Sequence, residues 1–370
     1  MSNLSNPISL LKQEWINTIR SEAAGAEKHG KLTKKQLNLI YDQDWFKMLT
    51  PTVYGGKQLS LPDAMQIEEA LACADGSMGW VVTMCAGAGW FGAFMDAELA
   101  KKVFETEKVC ISGSGYATGT AELTKDGYVI NGSWKYASGS NDSTALTANC
   151  QLVKNGKPVM NSNGNPEIIS FLFYSNEVTI SDDWNPIGMV ATGTNSFAVT
   201  NLTVPENRAF KIGAHHRVTS ALYHYPFLQF AEATLTINLC GMAFHFMDLC
   251  GQIFADSSNA DGSAMNKISK QMLLEAHEML MQKLQTARQK LYYSVDMSWQ
   301  VCVANKDISA SVLYKVSAAA LNCSRIVHEC VNTLFPYCGL QAADKDSEIN
   351  RVWRDIKTAG QHTILLSDSI

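Results

Sequence analysis

Asp126-Gly127-Tyr128-Val129-Ile130-Asn131-Gly132-Ser133-Trp134 is the stretch that decides the fold class of this 370-residue chain. Tyr128, Ile130, Gly132 and Trp134 alternate with Val129, Asn131 and Ser133, which is the two-residue period of a strand. Asp126-Gly127 supplies a hairpin turn just before it. Further strand candidates are Ala145–Val153, Ile168–Tyr174 and Ser196–Val204, with a polar, turn-rich loop from Lys154 to Pro166. Together these predict a compact β domain over residues 109–212.

On both sides the period changes. Ile8, Leu11, Trp15 and Ile19 recur every three to four residues, as on one face of a helix. Leu61-Pro62-Asp63 reads as a helix start, with proline in the first turn. The segment from Ser77 to Met95 reads as a helix rich in small residues, Cys85-Ala86-Gly87-Ala88-Gly89, where a second helix or a flat ligand can approach closely. Beyond the β domain, Tyr225–Phe254, Ala264–Cys302 and Ile308–Leu334 suit a four-helix bundle, and Asp256–Gly262 reads as a linker. The expected organisation is α+β: a helical domain at 1–108, a barrel-like β domain at 109–212 and a helical bundle at 213–370.

Composition narrows the function. Hydrophobic residues are 46% and charged residues 18%, as in an ordinary globular protein. The net charge of -5, with no basic block, argues against general nucleic-acid binding. No unbroken apolar run reaches membrane-spanning length. The first residues lack the basic-then-apolar pattern of a secretory signal, so a cytoplasmic location is expected. Ten cysteines contain no C-x-x-C and read as small buried hydrophobes rather than zinc ligands or disulfides. The eight histidines, including His215, His216 and His224, are scattered.

Five motifs in order point further. They are Pro51-Thr-Val-Tyr54-Gly55-Gly56; Ala74-Asp75-Gly76-Ser77-Met-Gly79-Trp80; Asn131-Gly132-Ser-Trp134-Lys-Tyr136-Ala-Ser138-Gly139; Trp184-Asn-Pro-Ile-Gly188-Met with Thr192-Gly193-Thr194-Asn195 and Val204-Pro205; and Arg351-Val-Trp353-Arg354-Asp355. In sequence and spacing the set resembles the acyl-CoA dehydrogenase superfamily, from about residue 50 to the C-terminus. The resemblance implies a flavin, FAD or FMN, between the β domain and the bundle. It sets Ser138 near flavin N5, Tyr136 beside the ring and Ser112 at the ring's polar edge. It also carries over Gly139, Gly339 and Arg354 as cofactor contacts, with Gly339 near a neighbouring subunit's flavin in a dimer or tetramer.

Departures from the family decide the chemistry. Many dehydrogenases carry their catalytic Glu nine residues after the Arg of the Arg-Asp pair; here that residue is Thr363. Arg354-Asp355-Ile-Lys-Thr-Ala-Gly-Gln-His362 instead resembles the two-component flavin monooxygenases of the fold, such as p-hydroxyphenylacetate hydroxylase oxygenase components and dibenzothiophene monooxygenase. The resemblance makes His362 the donor to reduced oxygen, with Ser138 as its catalytic companion, and implies a separate flavin reductase. Ala86-Gly87-Ala88-Gly89 leaves room for a bulky or apolar small-molecule substrate walled by Trp90 and Phe91. Alternatives are a dehydrogenase whose base is displaced to Glu232 or Glu275, and an inactive flavin-binding homologue.

Overall fold

The structure is a computed structural model and describes residues 6–213, 218–256 and 270–366. Its first layer is helical: α1 (Gln13–His29), α2 (Lys34–Asp42), α3 (Leu61–Ala74), α4 (Gly76–Trp90) and α5 (Ala97–Phe104). Local chemistry starts these helices. Thr33 and Gln36 form a reciprocal capping box on α2, Ser60 Oγ accepts from Asp63 N–H at 3.2 Å on α3, and Asp75 Oδ1 accepts from Met78 N–H at 2.8 Å on α4.

The middle layer is one mixed sheet built from β1 (Ile111–Thr124), β2 (Gly127–Ala137), β3 (Ala145–Lys154), β4 (Lys157–Pro158), β5 (Ile168–Tyr174), β6 (Thr179–Ile180), β7 (Asn195–Val204) and β8 (Ala209–Phe210). The order is β6-β7-β2-β1-β3-β5-β8, with β4 on β3, and β1 runs parallel to β3 while its other neighbour is antiparallel. Strand β1 escapes the sequence periodicity because its first residues, Ser112-Gly113-Ser114-Gly115, carry no apolar alternation. The β1–β3 register shifts between Ser114 and Gly119, and the β2–β7 register shifts between Trp134 and Ala137. Such bulges re-aim side chains where pairing breaks. Both lie next to the site described below.

The third layer contains α6 (Ala221–His224), α7 (Phe227–Asp256), α8 (Lys270–Val303), α9 (Ala310–Leu334), α10 (Leu340–Ala343) and α11 (Glu348–Ala359). Helix α7 is long and apolar enough by composition to cross a membrane, yet 89% of its most apolar window is buried within the protein. It is the central helix, packed by α3, α4, α8, α9 and α11. The linker predicted at Asp256–Gly262 lies, after Asp256, outside the described residues, as do His215 and His216. The helix predicted from Ser77 to Met95 ends earlier, at Trp90, and tightens into a 3-10 turn over Phe91–Ala93.

Helix α4 explains its small residues. Thirteen of its fifteen residues are buried, and Met84 and Gly87, one turn apart, are the two that are not. A Cβ on Gly79 would lie 2.6 Å from the backbone of Ala72, so that glycine lets α3 and α4 touch. A Cβ on Gly87 would meet nothing within 4 Å. The two readings of the small residues, close helix packing and space for a ligand, therefore hold at different positions. Gly87→Ala is expected to raise stability by about 0.5–1 kcal/mol through helix propensity. Gly79→Ala is expected to lower it, because the clash is with backbone. Urea denaturation of both variants checks this, and a destabilised Gly87→Ala would contradict the open space at that position.

Candidate active site

Where β1, the end of β2, α4, α7 and the C-terminal turn meet, the protein holds a cavity of about 1000 Å³ of empty space, part of it open to solvent. One wall is polar strand edge: Ser112, Gly113, Ser114 and Gly115 of β1, Thr147 and Asn149 of β3, and Ser138 just after β2. The opposite wall is apolar and helical: Met84, Gly87 and Ala88 of α4, then Phe227, Phe230, Ala231, Thr234 and Leu235 of α7. Phe91, Phe210 and Ile212 close one side, while His362 and Ile364 come from the C-terminal turn. Among the described lining residues there is no Asp or Glu.

The polar wall is tightly bonded. Ser112 Oγ donates to the Ser138 carbonyl at 2.7 Å, and Asn149 Nδ2 donates to the Gly115 carbonyl at 2.9 Å. Ser138 Oγ lies 2.9 Å from Thr194 Oγ1, and Thr194 Oγ1 lies 2.6 Å from Thr192 Oγ1. The Ser138 and Ser112 side chains are almost fully buried.

His362 caps the final 3-10 turn, Thr363–Leu365, with Nδ1 accepting from Ile364 N–H at 3.3 Å. A ring nitrogen that accepts carries no proton, so the neutral imidazole bears its hydrogen on Nε2. Burial lowers the ring's pKa below the ordinary 6.5, which keeps it neutral near pH 7. Trp80 packs edge-on against the ring, with centroids 6.0 Å apart. His362 thus brings a neutral ring N–H to the cavity lining.

The structure brings four of the sequence candidates, Ser112, Ser138, His362 and Phe91, to this one cavity. The others fall elsewhere. Trp90 lies behind the wall in the core, its Nε1–H donating to the Leu222 carbonyl and its ring stacked 5.4 Å from Phe230. Tyr136 is exposed at the β2 bulge with φ of 69°, beside Tyr116 and Trp184. Gly139 is buried behind Ser138 with φ of 76°, and exposed Gly339 precedes α10, away from the cavity of its own chain. Glu232 faces away from the cavity and accepts from Ser317 Oγ at 2.5 Å, and Glu275 is exposed on α8. Neither stands where a displaced base would be needed. Sequence reading missed Phe227, Phe230, Ala231 and Thr234, although their spacing of three to four residues marks one face of α7.

Arg354 is a clasp. Its guanidinium donates to Glu27 on α1, to the Ile187 carbonyl at 2.8 Å and to the Lys345 carbonyl at 3.0 Å. Next to it Asp355 Oδ1 accepts from Met189 N–H. Gly188 packs so closely on this turn that a Cβ would lie 2.1 Å from the Arg354 carbonyl group. Two of the family motifs, Trp184–Met189 and Arg351–Asp355, are therefore the two halves of one contact between the β layer and α11.

Burial and the neighbouring Asp75 carboxyl push Asp355 up to about 8. In the unfolded chain an aspartate titrates near 3.9. Between those values the folded protein keeps a proton that the unfolded chain has released, so this group makes stability fall as pH rises from about 4 to about 8, with no further loss above. Asp355→Asn retains an oxygen to accept from Met189 and removes the titration. The expected outcome is a urea midpoint that loses this part of its pH slope between about pH 5 and 8. A slope equal to that of the wild type would assign the effect to other groups.

The layer order and the cavity between sheet and bundle define an acyl-CoA dehydrogenase-type architecture. Residues 270–366 match the family model described as acyl-CoA dehydrogenase, C-terminal domain. The flavin-dependent monooxygenase oxygenase subunit HsaA of Rhodococcus jostii (strain RHA1) is 22% identical over 360 residues, covering 94% of this chain and 91% of HsaA. Among solved structures, XiaF from Streptomyces sp. in complex with FADH2 and glycerol superposes with a TM-score of 0.84 at 18% identity, covering 97% of this chain and 91% of XiaF. TdsC from Paenibacillus sp. A11-2, in complex with FMN and indole, gives 0.76 at 18% identity, covering 93% and 90%. The chain resembles this superfamily along its length, on the side of its two-component flavin-dependent monooxygenases.

Proposed function

We propose that the chain is the oxygenase component of a two-component flavin-dependent monooxygenase, taking reduced flavin from a separate reductase and acting with O2 on a small organic substrate. The observation that carries this reading is that one cavity is lined by both His362, a neutral Nε2–H donor, and buried Ser138, with one polar and one apolar wall. An isoalloxazine has a polar rim and apolar faces, so the slot fits it. Ser112, Gly113, Ser114 and Ser138 would hold the rim, and Met84 and Ile364 offer apolar contacts. When bound, the reduced flavin supplies two electrons to O2. The chain's own residues do the rest: the strand edge orients the ring, the aromatic wall excludes water, and His362 donates a hydrogen bond or proton to reduced oxygen.

The remaining space beside Gly87, Phe91 and Phe227 suits an apolar substrate. FAD and FMN are both candidates, since related structures hold FADH2 in one case and FMN in the other. We further propose a homo-oligomer. Exposed Met272, Met279, Tyr293, Met297 and Tyr314 on α8 and α9 and Leu340, 90% exposed beside Gly339, support that reading. Ten free, buried cysteines, with Cys250 and Cys338 sulfurs hydrogen-bonded at 3.5 Å rather than joined in a disulfide, fit a cytoplasmic protein.

Anaerobic titration with FADH2 and FMNH2, followed by mixing with O2, tests the proposal. The expected result is tight binding of one reduced flavin and a return of oxidised-flavin absorbance much slower than for free flavin. Bleaching of bound oxidised flavin by acyl-CoA thioesters would instead establish a dehydrogenase.

A further inference from the structure

Ser138 does not stand alone. Thr192 Oγ1 lies 2.7 Å from the Met189 carbonyl, which has no hydrogen to give, so the Thr192 hydroxyl donates there. Thr192 then has only lone pairs for Thr194, and Thr194 must donate to it across 2.6 Å. Thr194 in turn has only lone pairs for Ser138, and Ser138 donates to it across 2.9 Å. All three side chains are buried, so no bulk water competes to reverse the direction. The chain is anchored, because Met189 also accepts from Trp184 Nε1–H at 2.9 Å and donates its own N–H to Asp355. With its proton committed, Ser138 Oγ turns lone pairs toward the cavity.

We propose that Thr192 and Thr194 are positioning residues that fix the Ser138 hydroxyl as a hydrogen-bond acceptor, so that the site prefers reduced flavin, whose N5 carries a hydrogen, over oxidised flavin, whose N5 is itself an acceptor. The proposal rests on the flavin reading above. It gives that reading a physical basis for taking cofactor already reduced: an acceptor facing N5–H is satisfied, and an acceptor facing a bare N5 is not. In a buried site that mismatch is felt in full.

Thr194→Val tests it. Valine keeps the shape and cannot accept, so the Ser138 proton is released to turn toward the cavity and donate to oxidised N5. Binding of oxidised and reduced flavin is measured separately, by anaerobic equilibrium titration. The expected result is opposite shifts: reduced flavin weaker and oxidised flavin tighter, their affinity ratio falling by roughly three- to tenfold. For a two-electron couple a tenfold change in that ratio lowers the bound flavin's midpoint potential by about 30 mV, a second readout independent of turnover. Thr194→Ser restores the wild-type ratio. Should Thr194→Val not fold, Thr192→Val frees the same chain one link further back and is expected to shift the ratio in the same direction. Weakening of both flavins in parallel, or an unchanged ratio, overturns the relay while leaving the flavin site in place. A wild-type protein that binds neither flavin overturns the flavin reading, and the relay with it.

Discussion

Replacing Arg288 with methionine is expected to cost the fold about 3–5 kcal/mol. Arg288 on α8 is buried and grips Glu69 on α3 with two parallel bonds, Nε to Oε1 at 2.6 Å and Nη2 to Oε2 at 2.7 Å. Tyr292 adds a third from its hydroxyl to Oε2 at 2.9 Å. Burial raises the Glu69 carboxyl, and the Arg288 guanidinium opposes that rise. Without the arginine, Glu69 must either stay charged in a dry core or take a proton. The loss is therefore expected to be larger at pH 8 than at pH 5, because protonation relieves it at the lower pH. The double variant Glu69→Met with Arg288→Met removes both charges and is expected to recover most of the loss. Urea denaturation of the wild type, both single variants and the double variant measures this. A double variant no more stable than Arg288→Met would show that the pair acts through packing.

The second large effect concerns His362. In His362→Ala the cavity keeps its strand edge and its aromatic wall but loses the Nε2–H donor. Donation from a positioned imidazole contributes about 10²–10⁴-fold to proton-transfer steps. After mixing with O2, the oxidised-flavin absorbance is expected to return about 10²-fold sooner, with hydrogen peroxide replacing hydroxylated product. Flavin affinity should change little, since on the proposed reading the rim would be held by β1 and Ser138. Wild-type timing in His362→Ala would remove the histidine from the mechanism. Because burial holds the imidazole neutral, the wild type is expected to keep its slow return unchanged as pH falls through about 6.5.

Particular residues show what the sequence could and could not convey. The alternation at Tyr128–Trp134 and the apolar lengths of α7, α8 and α9 are local signals, and the layers follow from them. Ser138 and His362 are 224 positions apart and line one cavity because the β layer and the C-terminal turn are packed together. Trp90 was expected as a pocket wall, yet helical phase turns it to the core while Gly87 and Met84, about one turn back, face the cavity. Arg354 was expected at the cofactor, yet its guanidinium is engaged by Glu27, Asn350 and the Ile187 and Lys345 carbonyls, an arrangement visible only once distant loops are side by side. Thr192 and Thr194 were legible as a motif but not as a directed chain, since direction depends on the Met189 carbonyl at its far end.

The clasp of Arg354 and Asp355 on Ile187 and Met189 has an evolutionary meaning. It holds the helix that leads to His362 against the loop whose Met189 carbonyl anchors the hydrogen-bond chain to Ser138, tying the two groups into one frame. The side chains of α4 and α7 that line the remaining space make none of the clasp's hydrogen bonds. Exchange at Gly87, Phe227 or Ala231 can therefore reshape what the protein accepts while the oxygen-handling groups keep their spacing. What the space accepts and what the clasp holds are set by separate residues, and a directed library can vary the first without disturbing the second.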